Sequence, residues 1–169
     1  DLELAWSFST KNLGSRAEYK LEVTPLMAGG MVYATAGTRR AAIALDGATG
    51  ELKWIHSMEE GLRAGLAPRQ LSGRGLSYWS DGNGDDRVYY VTTGYKLIAL
   101  SAHTGVPINS FGIDGNGILD LKVGVVQGNE VQIDLVSGEI GLHSTPTVVG
   151  DMIIVGSAMK EGMTIDNYN

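Results

Sequence analysis

Short apolar runs recur along the chain, and each is bounded by glycine-rich or polar turns. The runs are about five to eight residues long and are rich in Val, Ile, Tyr and Thr, which favour strands over helices. They cover residues 31–37, 41–46, 51–56, 87–94, 96–100 and 152–158. No stretch carries a helical period for more than a turn or two. The pattern therefore predicts an all-β fold.

The strand runs are also repeated. The segments "VYATAG" and "AAIALDGATG" return, with substitutions, as "YYVTTG" and "KLIALSAHTG". A third copy begins where "TPLMAGGMVYATAG" (24–37) returns as "TPTVVGDMIIVGSA" (145–158). The chain ends at Asn169, before this third copy reaches an Asp-x-x-Thr-Gly turn of its own.

Repeats of about 40 to 55 residues, each with several strands, indicate a β-propeller of four-stranded antiparallel blades. A propeller closes with about four to eight blades, and this chain holds roughly two to three. We therefore expect residues 1–169 to be the N-terminal part of a single propeller domain in a longer protein, with the remaining blades as its partners. A self-contained β-sandwich is the alternative, because evenly spaced strands also fit that class.

One turn of the first repeat predicts a specific packing role. In "ALDGATGELKW" (44–54), Asp46 can accept backbone N–H bonds, Thr49 can add a hydroxyl cap and Gly50 can take a positive φ. Trp54 then falls on the outer strand of the blade. There its ring can pack over a neighbouring turn while its N–H reaches a backbone acceptor.

Composition narrows the functional classes. The net charge of −6 disfavours nucleic acid and anionic membranes as partners, because binding to phosphate groups depends on Lys and Arg. The chain has no cysteine, so it can form neither a disulfide nor a thiolate zinc site. No apolar run approaches the roughly 20 residues of a membrane helix, and the first ten residues lack the features of a signal peptide. Any signal is expected to have been removed or to lie outside this segment.

Three motifs together resemble the quinoprotein dehydrogenases. They are the set Ala44, Asp46, Thr49, Gly50 and Trp54, the segment "GRGLSYW" (73–79) and the stretch "LIALSAHTGVPINSFGIDGNGILDL" (97–121). Members of that family are eight-bladed propellers that carry pyrroloquinoline quinone (PQQ), and the resemblance covers nearly the whole chain. The second repeat departs from the docking pattern, because Ser101 replaces the aspartate and Asn109 replaces the tryptophan.

The resemblance implies a set of cofactor-binding positions. It assigns contacts with PQQ to Glu22, Arg74 and His143, and a close approach of the chain to PQQ at Ser157 and Ala158. It places Glu161 near the glutamate that binds Ca²⁺ in the family, and the catalytic aspartate in a later blade outside this segment.

Two departures favour a subtype. Methanol-oxidising members have a threonine where this chain has His143, whereas the resemblance associates a histidine with glucose-oxidising members. The adjacent cysteine pair of the methanol type is replaced by Pro68 and Arg69. Both features point toward the glucose or polyol type.

Each of these assignments has a plain alternative. PQQ is a planar tricarboxylated quinone, which suits the bidentate guanidinium of Arg74, but that arginine could instead pair with a surface acid. Glu22 alternates with apolar neighbours and could lie on a solvated strand face, and His143 could be a histidine beside a strand. Glu161 could be an exposed loop acid.

The loop at 81–87 has the alternate Asp81, Asn83 and Asp85 of an EF-hand start. Its twelfth position is Thr92 where a bidentate glutamate is needed, and its flanks resemble strands. It is therefore predicted to be a hairpin loop.

The combined expectation is a PQQ- and Ca²⁺-dependent dehydrogenase that oxidises a sugar or alcohol and passes electrons to a quinone or cytochrome. The resemblance implies a periplasmic location and leaves open a membrane association through a part outside this chain. A non-catalytic propeller scaffold of the outer-membrane assembly type is the competing function. A propeller that senses sugar without turnover is a third.

Overall fold

The structure is a computed structural model that describes residues 1–122 and 134–160. Its first four strands form one antiparallel sheet in chain order, which we call blade 1. The strands are β1 (Leu26–Ala28), β2 (Met31–Ala36), β3 (Ala41–Asp46) and β4 (Leu52–His56). Three of the predicted strand runs therefore lie side by side, and β1 adds a short strand that the pattern did not predict.

A second sheet repeats this order and is called blade 2. A short helix, α1 (Gly61–Gly65), lies in the segment that joins the two blades. The strands of blade 2 are β5 (Ser77–Ser80), β6 (Asp86–Val91), β7 (Lys96–Ser101) and β8 (Ile118–Asp120). The loop at 81–85 joins β5 to β6, which pair antiparallel, so the prediction of a hairpin loop there is confirmed.

The third repeat contains two separate strand pairs. One is β10 (Thr147–Val149) with β11 (Met152–Ile154), and the other is β9 (Ile140–Leu142) with β12 (Ser157–Met159). The prediction of one strand over 152–158 is wrong. The chain leaves the hairpin after Ile154 and pairs with β9, a strand too short to be recognised from its sequence pattern.

Both faces of each blade are covered by apolar neighbours. Tyr33 and Ala44 of blade 1 share a buried cluster with Val88 and Tyr90 of blade 2. The opposite face of blade 2 packs against Leu142 and the third hairpin, and the opposite face of blade 1 packs against the N-terminal segment. Sheets stacked in chain order are the arrangement of consecutive propeller blades. The predicted propeller is thus confirmed over the sandwich alternative.

The turn at 46–50 has the predicted geometry. Asp46 Oδ1 accepts the N–H of Ala48 at 3.0 Å and that of Thr49 at 2.9 Å. Thr49 adds its hydroxyl to the same oxygen, and Gly50 has a φ of 73°. This local network closes blade 1 at the hairpin before β4.

Trp54 makes the predicted contact with the next blade. Its indole N–H donates to the carbonyl oxygen of Ala102 at 2.9 Å. Its ring lies over Gly105, where an added Cβ would stand 2.6 Å from the ring. The turn that receives it has kept its shape despite Ser101, because the Gly105 N–H still donates to the Ser101 carbonyl at 2.8 Å.

Two further elements of this kind were not predicted. Trp6 donates to the Gly47 carbonyl at 3.1 Å and covers Gly50, so the N-terminal segment contacts blade 1 as Trp54 contacts blade 2. Asp134 accepts the N–H groups of Val136 and Ser137 in a turn with serine in the place of threonine. The position of Trp6 relative to Trp54 was a usable signal for the first of these.

Candidate functional site

The entry segments of the three inner strands meet at one place. β5 lies beside both β1 and β10. Just before these strands, the Thr24 N–H donates to the Arg74 carbonyl at 3.0 Å, and the Arg74 N–H donates to the His143 carbonyl at 3.1 Å. Glu22, Arg74 and His143 each stand three or four residues before an inner strand. The repeat therefore places these three residues at the same end of neighbouring strands.

Gly75 permits this close approach. Its φ is +128°, which L side chains rarely adopt, and an added Cβ would stand 2.8 Å from the Thr24 carbonyl oxygen. Thr145 of the third repeat lies on the other side, with its Oγ1 3.5 Å from that Cβ position. Gly75 thus lets the chain before β5 pass closely between Thr24 and Thr145.

A cavity of about 1060 Å³ opens at this junction. Every predicted cofactor residue that the structure describes lines it: Glu22, Arg74, His143, Ser157 and Ala158. Residues that sequence reasoning did not assign also line it, among them Lys20, Gln70, Ser72, Ser144 and Lys160. No motif marks these polar residues, because they come together only through folding.

The lining of the cavity is cationic although the chain as a whole is acidic. Among the residues that the structure describes, the cavity is lined by the cationic Lys20, Arg69, Arg74 and Lys160 and by one acid, Glu22. The net charge of the chain is −6. A concentration of positive charge in a concave site attracts anionic ligands. The cavity is therefore suited to a small molecule with several carboxylates.

Glu22 is ionised in this setting. The hydrogen bond from Lys20, whose Nζ lies 3.1 Å from Oε1, lowers the pKa of the Glu22 carboxyl, and the positive charge of Arg74 lowers it further. Glu22 lies before β1 rather than on a strand, and its side chain lines the cavity.

His143 is neutral at neutral pH. Burial lowers the pKa of its imidazole, and the cationic Arg40 and Arg74 lower it further. Its Nε2 lies 3.5 Å from Glu22 Oε2, a contact that favours a proton on Nε2. Its Nδ1 is buried and makes no hydrogen bond to any residue of 1–122 or 134–160. This nitrogen is thus an unsatisfied acceptor within the described part of the cavity wall.

The strand pair β9 and β12 brings small residues to the cavity wall. Ser157 pairs with Leu142 and Ala158 with Gly141. The Ser157 hydroxyl is 2.6 Å from the hydroxyl of Tyr95, which lies in the β6–β7 turn of blade 2. Blade 2 therefore fixes the orientation of the Ser157 side chain.

Pro68 and Arg69 have separate roles here. Pro68 packs on Gly141, where an added Cβ would stand 3.0 Å from its ring. Arg69 is exposed and lines the cavity. These two positions thus contribute a packing contact and a cation.

Glu161 lies outside the residues that the structure describes. Within residues 1–122 and 134–160, no three His, Asp or Glu side chains are grouped as metal ligands. Over the same residues, no helix has the length and hydrophobicity to cross a membrane.

The whole chain, residues 1–169, matches a family model described as "PQQ: Glucose/ethanol/alcohol dehydrogenase, beta-propeller domain". It is 26% identical over 98% of its length to a quinoprotein glucose dehydrogenase of Gluconobacter oxydans (strain 621H). It is 33% identical over 63% of its length to the quinohemoprotein alcohol dehydrogenase ADH IIB of Pseudomonas putida. The chain spans only 21% and 14% of those two proteins.

A solved structure shows the same fold. The quinohemoprotein alcohol dehydrogenase of Comamonas testosteroni superposes with a TM-score of 0.66 at 22% identity, over 93% of this chain and 19% of that one. The stacked blades, the meeting of their inner strands and the match over all residues lead to one conclusion: this chain belongs to the PQQ β-propeller domain family of glucose, ethanol and alcohol dehydrogenases.

Proposed function

We propose that this chain is the cofactor-binding N-terminal portion of a PQQ-dependent dehydrogenase that oxidises a sugar or alcohol and passes the electrons to a quinone or cytochrome. The observation that carries the proposal is the cationic cavity where Glu22, Arg74 and His143 converge from three consecutive repeats. The names of the two relatives, a glucose and an alcohol dehydrogenase, support the two substrate classes.

The residues present fit PQQ by their chemistry. A planar tricarboxylate needs several fixed cationic donors, and the cavity wall supplies Arg69, Arg74, Lys20 and Lys160. The imidazole of His143, which also lines the cavity, offers a further polar contact. The hydroxyl of Ser157 and the small Ala158 allow a flat ring to approach the wall.

Within this proposal the chain binds and orients rather than performs the bond-breaking step. PQQ, when bound, supplies a quinone that accepts two electrons from the substrate. Arg74 would donate to cofactor oxygens through its guanidinium. Its main chain is held on both sides by hydrogen bonds with Thr24 and His143. Neutral His143 adds a directed contact without further charge. The base that removes the substrate proton is proposed to be an aspartate of a later blade.

Calcium is part of the proposal. Glu161 is the chain's proposed ligand, and a Ca²⁺ ion needs about six to eight oxygens. The other ligands are expected from elsewhere in the complete protein and from the cofactor. A periplasmic location is proposed with the same activity.

The glucose or polyol type is proposed over the methanol type. His143 stands where the methanol type has threonine, and Pro68 and Arg69 stand where it has paired cysteines. The competing scaffold function needs no concave cationic site. The cationic residues that line the described cavity wall therefore favour a cofactor-binding protein over a scaffold.

The direct test uses the full-length protein with PQQ and Ca²⁺. Cofactor binding is measured by titration without substrate, and dye reduction is then followed with a panel of sugars, polyols and alcohols. Binding together with reduction by a sugar or polyol is the expected result. No PQQ binding would reject the enzyme in favour of a scaffold, and PQQ-dependent turnover of methanol alone would reject the proposed subtype.

Two variants test the site within that experiment. Arg74→Ala is expected to weaken PQQ binding by about 10- to 100-fold, since a hydrogen bond to a charged group contributes about 1.5–3 kcal/mol. The matched control is Arg39→Ala, which removes an arginine that pairs with exposed Glu59 outside the cavity. Equal binding in both variants would reject the role of Arg74.

A further inference from the structure

Arg40 is a buried arginine whose hydrogen-bond partners within residues 1–122 and 134–160 are all backbone carbonyls. Arg40 is only 1% exposed. Its Nε donates to Leu71 at 3.0 Å, its Nη2 to Arg69 at 2.9 Å, and its Nη1 to Leu142 at 2.7 Å and to Val91 at 3.4 Å. The fixed fork of the guanidinium is suited to several acceptors at once. One side chain of blade 1 thus holds the backbone of three other segments.

Two of those segments carry the cavity wall. Arg69 and Leu71 belong to the loop that leads to Arg74, and Leu142 directly precedes His143. The third segment is strand β6 of blade 2, whose last residue, Val91, accepts from Arg40. Arg40 therefore fixes the two segments whose side chains are proposed to contact the cofactor, relative to each other and to blade 2.

Two neighbouring residues, Gly73 and Glu18, support the contacts of Arg40. Gly73 has a φ of +69°, and an added Cβ there would stand 2.8 Å from Arg40 Nε, so only glycine lets the loop lie against the guanidinium. Glu18 accepts the Ser72 N–H at 2.8 Å and the Gly37 N–H at 2.9 Å. The same loop and the same β2–β3 hairpin are thus connected a second time.

The guanidinium also adds positive charge beneath the cavity. Burial lowers the pKa of Arg40 to about 10, which still leaves it charged at neutral pH. None of its hydrogen bonds among the described residues goes to a carboxylate. Its charge is therefore not cancelled by direct pairing, and it contributes to the lowered pKa of His143.

We propose that Arg40 is the positioning residue of the cofactor cavity. It fixes the 69–71 loop and the strand before His143 relative to each other, so that Arg74 and His143 can contact the same ligand. This inference rests on the proposed function for its ligand. Arg40 does not line the cavity and acts only through the residues that do.

The test compares Arg40→Met, Arg40→Lys and Trp54→Phe in the full-length protein. Trp54→Phe is the matched control, because it removes a buried interblade hydrogen bond remote from the cavity. Three quantities are measured: the melting temperature of the apoprotein, the dissociation constant for PQQ without substrate, and the kcat and KM of the loaded enzyme.

We expect both Arg40→Met and Trp54→Phe to melt at lower temperature, but only Arg40→Met to weaken PQQ binding, by tenfold or more. Arg40→Lys keeps the positive charge but lacks the planar guanidinium. It is therefore expected to bind PQQ more tightly than Arg40→Met but more weakly than wild type. It also serves as the second variant if Arg40→Met does not fold. Wild-type affinity in folded Arg40→Met, or in Arg40→Lys where Arg40→Met does not fold, would overturn the proposal.

Two cofactor-free measurements separate this inference from the proposed function. Amide hydrogen exchange of residues 69–74 and 141–143 is expected to accelerate in the Arg40 variants and not in Trp54→Phe. The pKa of His143, followed by NMR, is expected to rise in Arg40→Met. If wild-type protein fails to bind PQQ, the proposed function fails. Unchanged exchange and an unchanged His143 pKa would refute the role of Arg40 independently.

Discussion

The backbone N–H of Arg74 donates to the carbonyl oxygen of His143 at 3.1 Å. This bond joins the entry of the second repeat to the entry of the third, directly at the cavity wall. Because the donor and acceptor are main-chain atoms, both side chains remain available to a ligand. Substitutions that displace this junction should therefore weaken ligand binding as well as lower the free energy of unfolding.

Gly75→Ala tests the junction. The variant is expected to lose about 1–3 kcal/mol of stability from strain at a φ of +128°, and more from the contact of the new Cβ with the Thr24 carbonyl oxygen at 2.8 Å. PQQ affinity should fall as well, because Arg74 must move. Denaturant unfolding and cofactor titration provide the two measurements.

The control for that variant is Gly82→Ala. Gly82 also has a positive φ of 74°, but nothing lies within 4 Å of an added Cβ. It should show the conformational cost alone, with unchanged PQQ affinity. Equal losses of stability and affinity at both glycines would contradict the close-approach argument.

Trp54→Phe tests the contact between blades 1 and 2. The change removes the indole donor to the Ala102 carbonyl, which keeps the Tyr33 hydroxyl at 3.2 Å as a second donor. The free energy of unfolding should therefore fall by about 0.5–1.5 kcal/mol, the net contribution of one hydrogen bond. Leu52→Ala is the comparison, because Leu52 is on the same strand but 39% exposed. If both variants unfold at the same denaturant concentration, the hydrogen bond to Ala102 contributes nothing.

Ser101→Asp is expected to stabilise the second repeat. The turn at 101–105 keeps the backbone bond of its counterpart, since Gly50 N–H to Asp46 and Gly105 N–H to Ser101 both measure 2.8 Å. A carboxylate at 101 can accept the turn N–H groups, as Asp46 does, for about 0.5–1.5 kcal/mol. The reciprocal Asp46→Ser should lose a similar amount. Thermal unfolding of the two variants in opposite directions is the expected outcome.

His143 should make stability depend on pH below its ordinary pKa of 6.5. Burial lowers its folded-state pKa below the ordinary 6.5, so the unfolded chain binds a proton more readily. Stability is then complete above pH 6.5 and falls as the pH drops through the folded-state pKa, by about 1.4 kcal/mol for each unit of lowering. The Glu22 carboxyl stays mostly ionised down to about pH 4.5, because its pKa is lowered from that value.

The measurement is the free energy of unfolding at several pH values for wild type, His143→Gln and His103→Gln. His143→Gln should show a flatter curve. A residual slope is expected from His56, whose pKa burial also lowers. His103→Gln provides the comparison, because it removes an exposed histidine that pairs with Asp86 at 2.9 Å, and it should not flatten the curve as His143→Gln does. Parallel curves for wild type and His143→Gln would contradict the assignment.

Much of the fold was predictable because its signals are local. Asp46, Thr49 and Gly50 form a turn with atoms only a few residues apart, and the repeat of that turn revealed the blades. The longer strands were found for the same reason. The three-residue strands β9 and β12 were missed, because such segments carry too little periodic pattern to register.

The candidate site also contains some residues that the sequence could identify and others that it could not. Glu22, Arg74 and His143 stand at corresponding places before the inner strands, so repeat comparison and family resemblance could identify them. Lys20, Arg69 and Lys160 carry no motif, and their place in the cavity follows from the packing of the blades.

The sequence by itself determined the repeat, the turn chemistry, the role of Trp54 and the family, because each depends on neighbouring residues or on a recurring spacing. Only the tertiary structure decided the role of Arg40. Its four acceptors lie on segments that are distant in sequence and become neighbours only when the blades stack. Backbone carbonyls leave no trace in side-chain identity, so no pattern of residues could have revealed which arginine holds them.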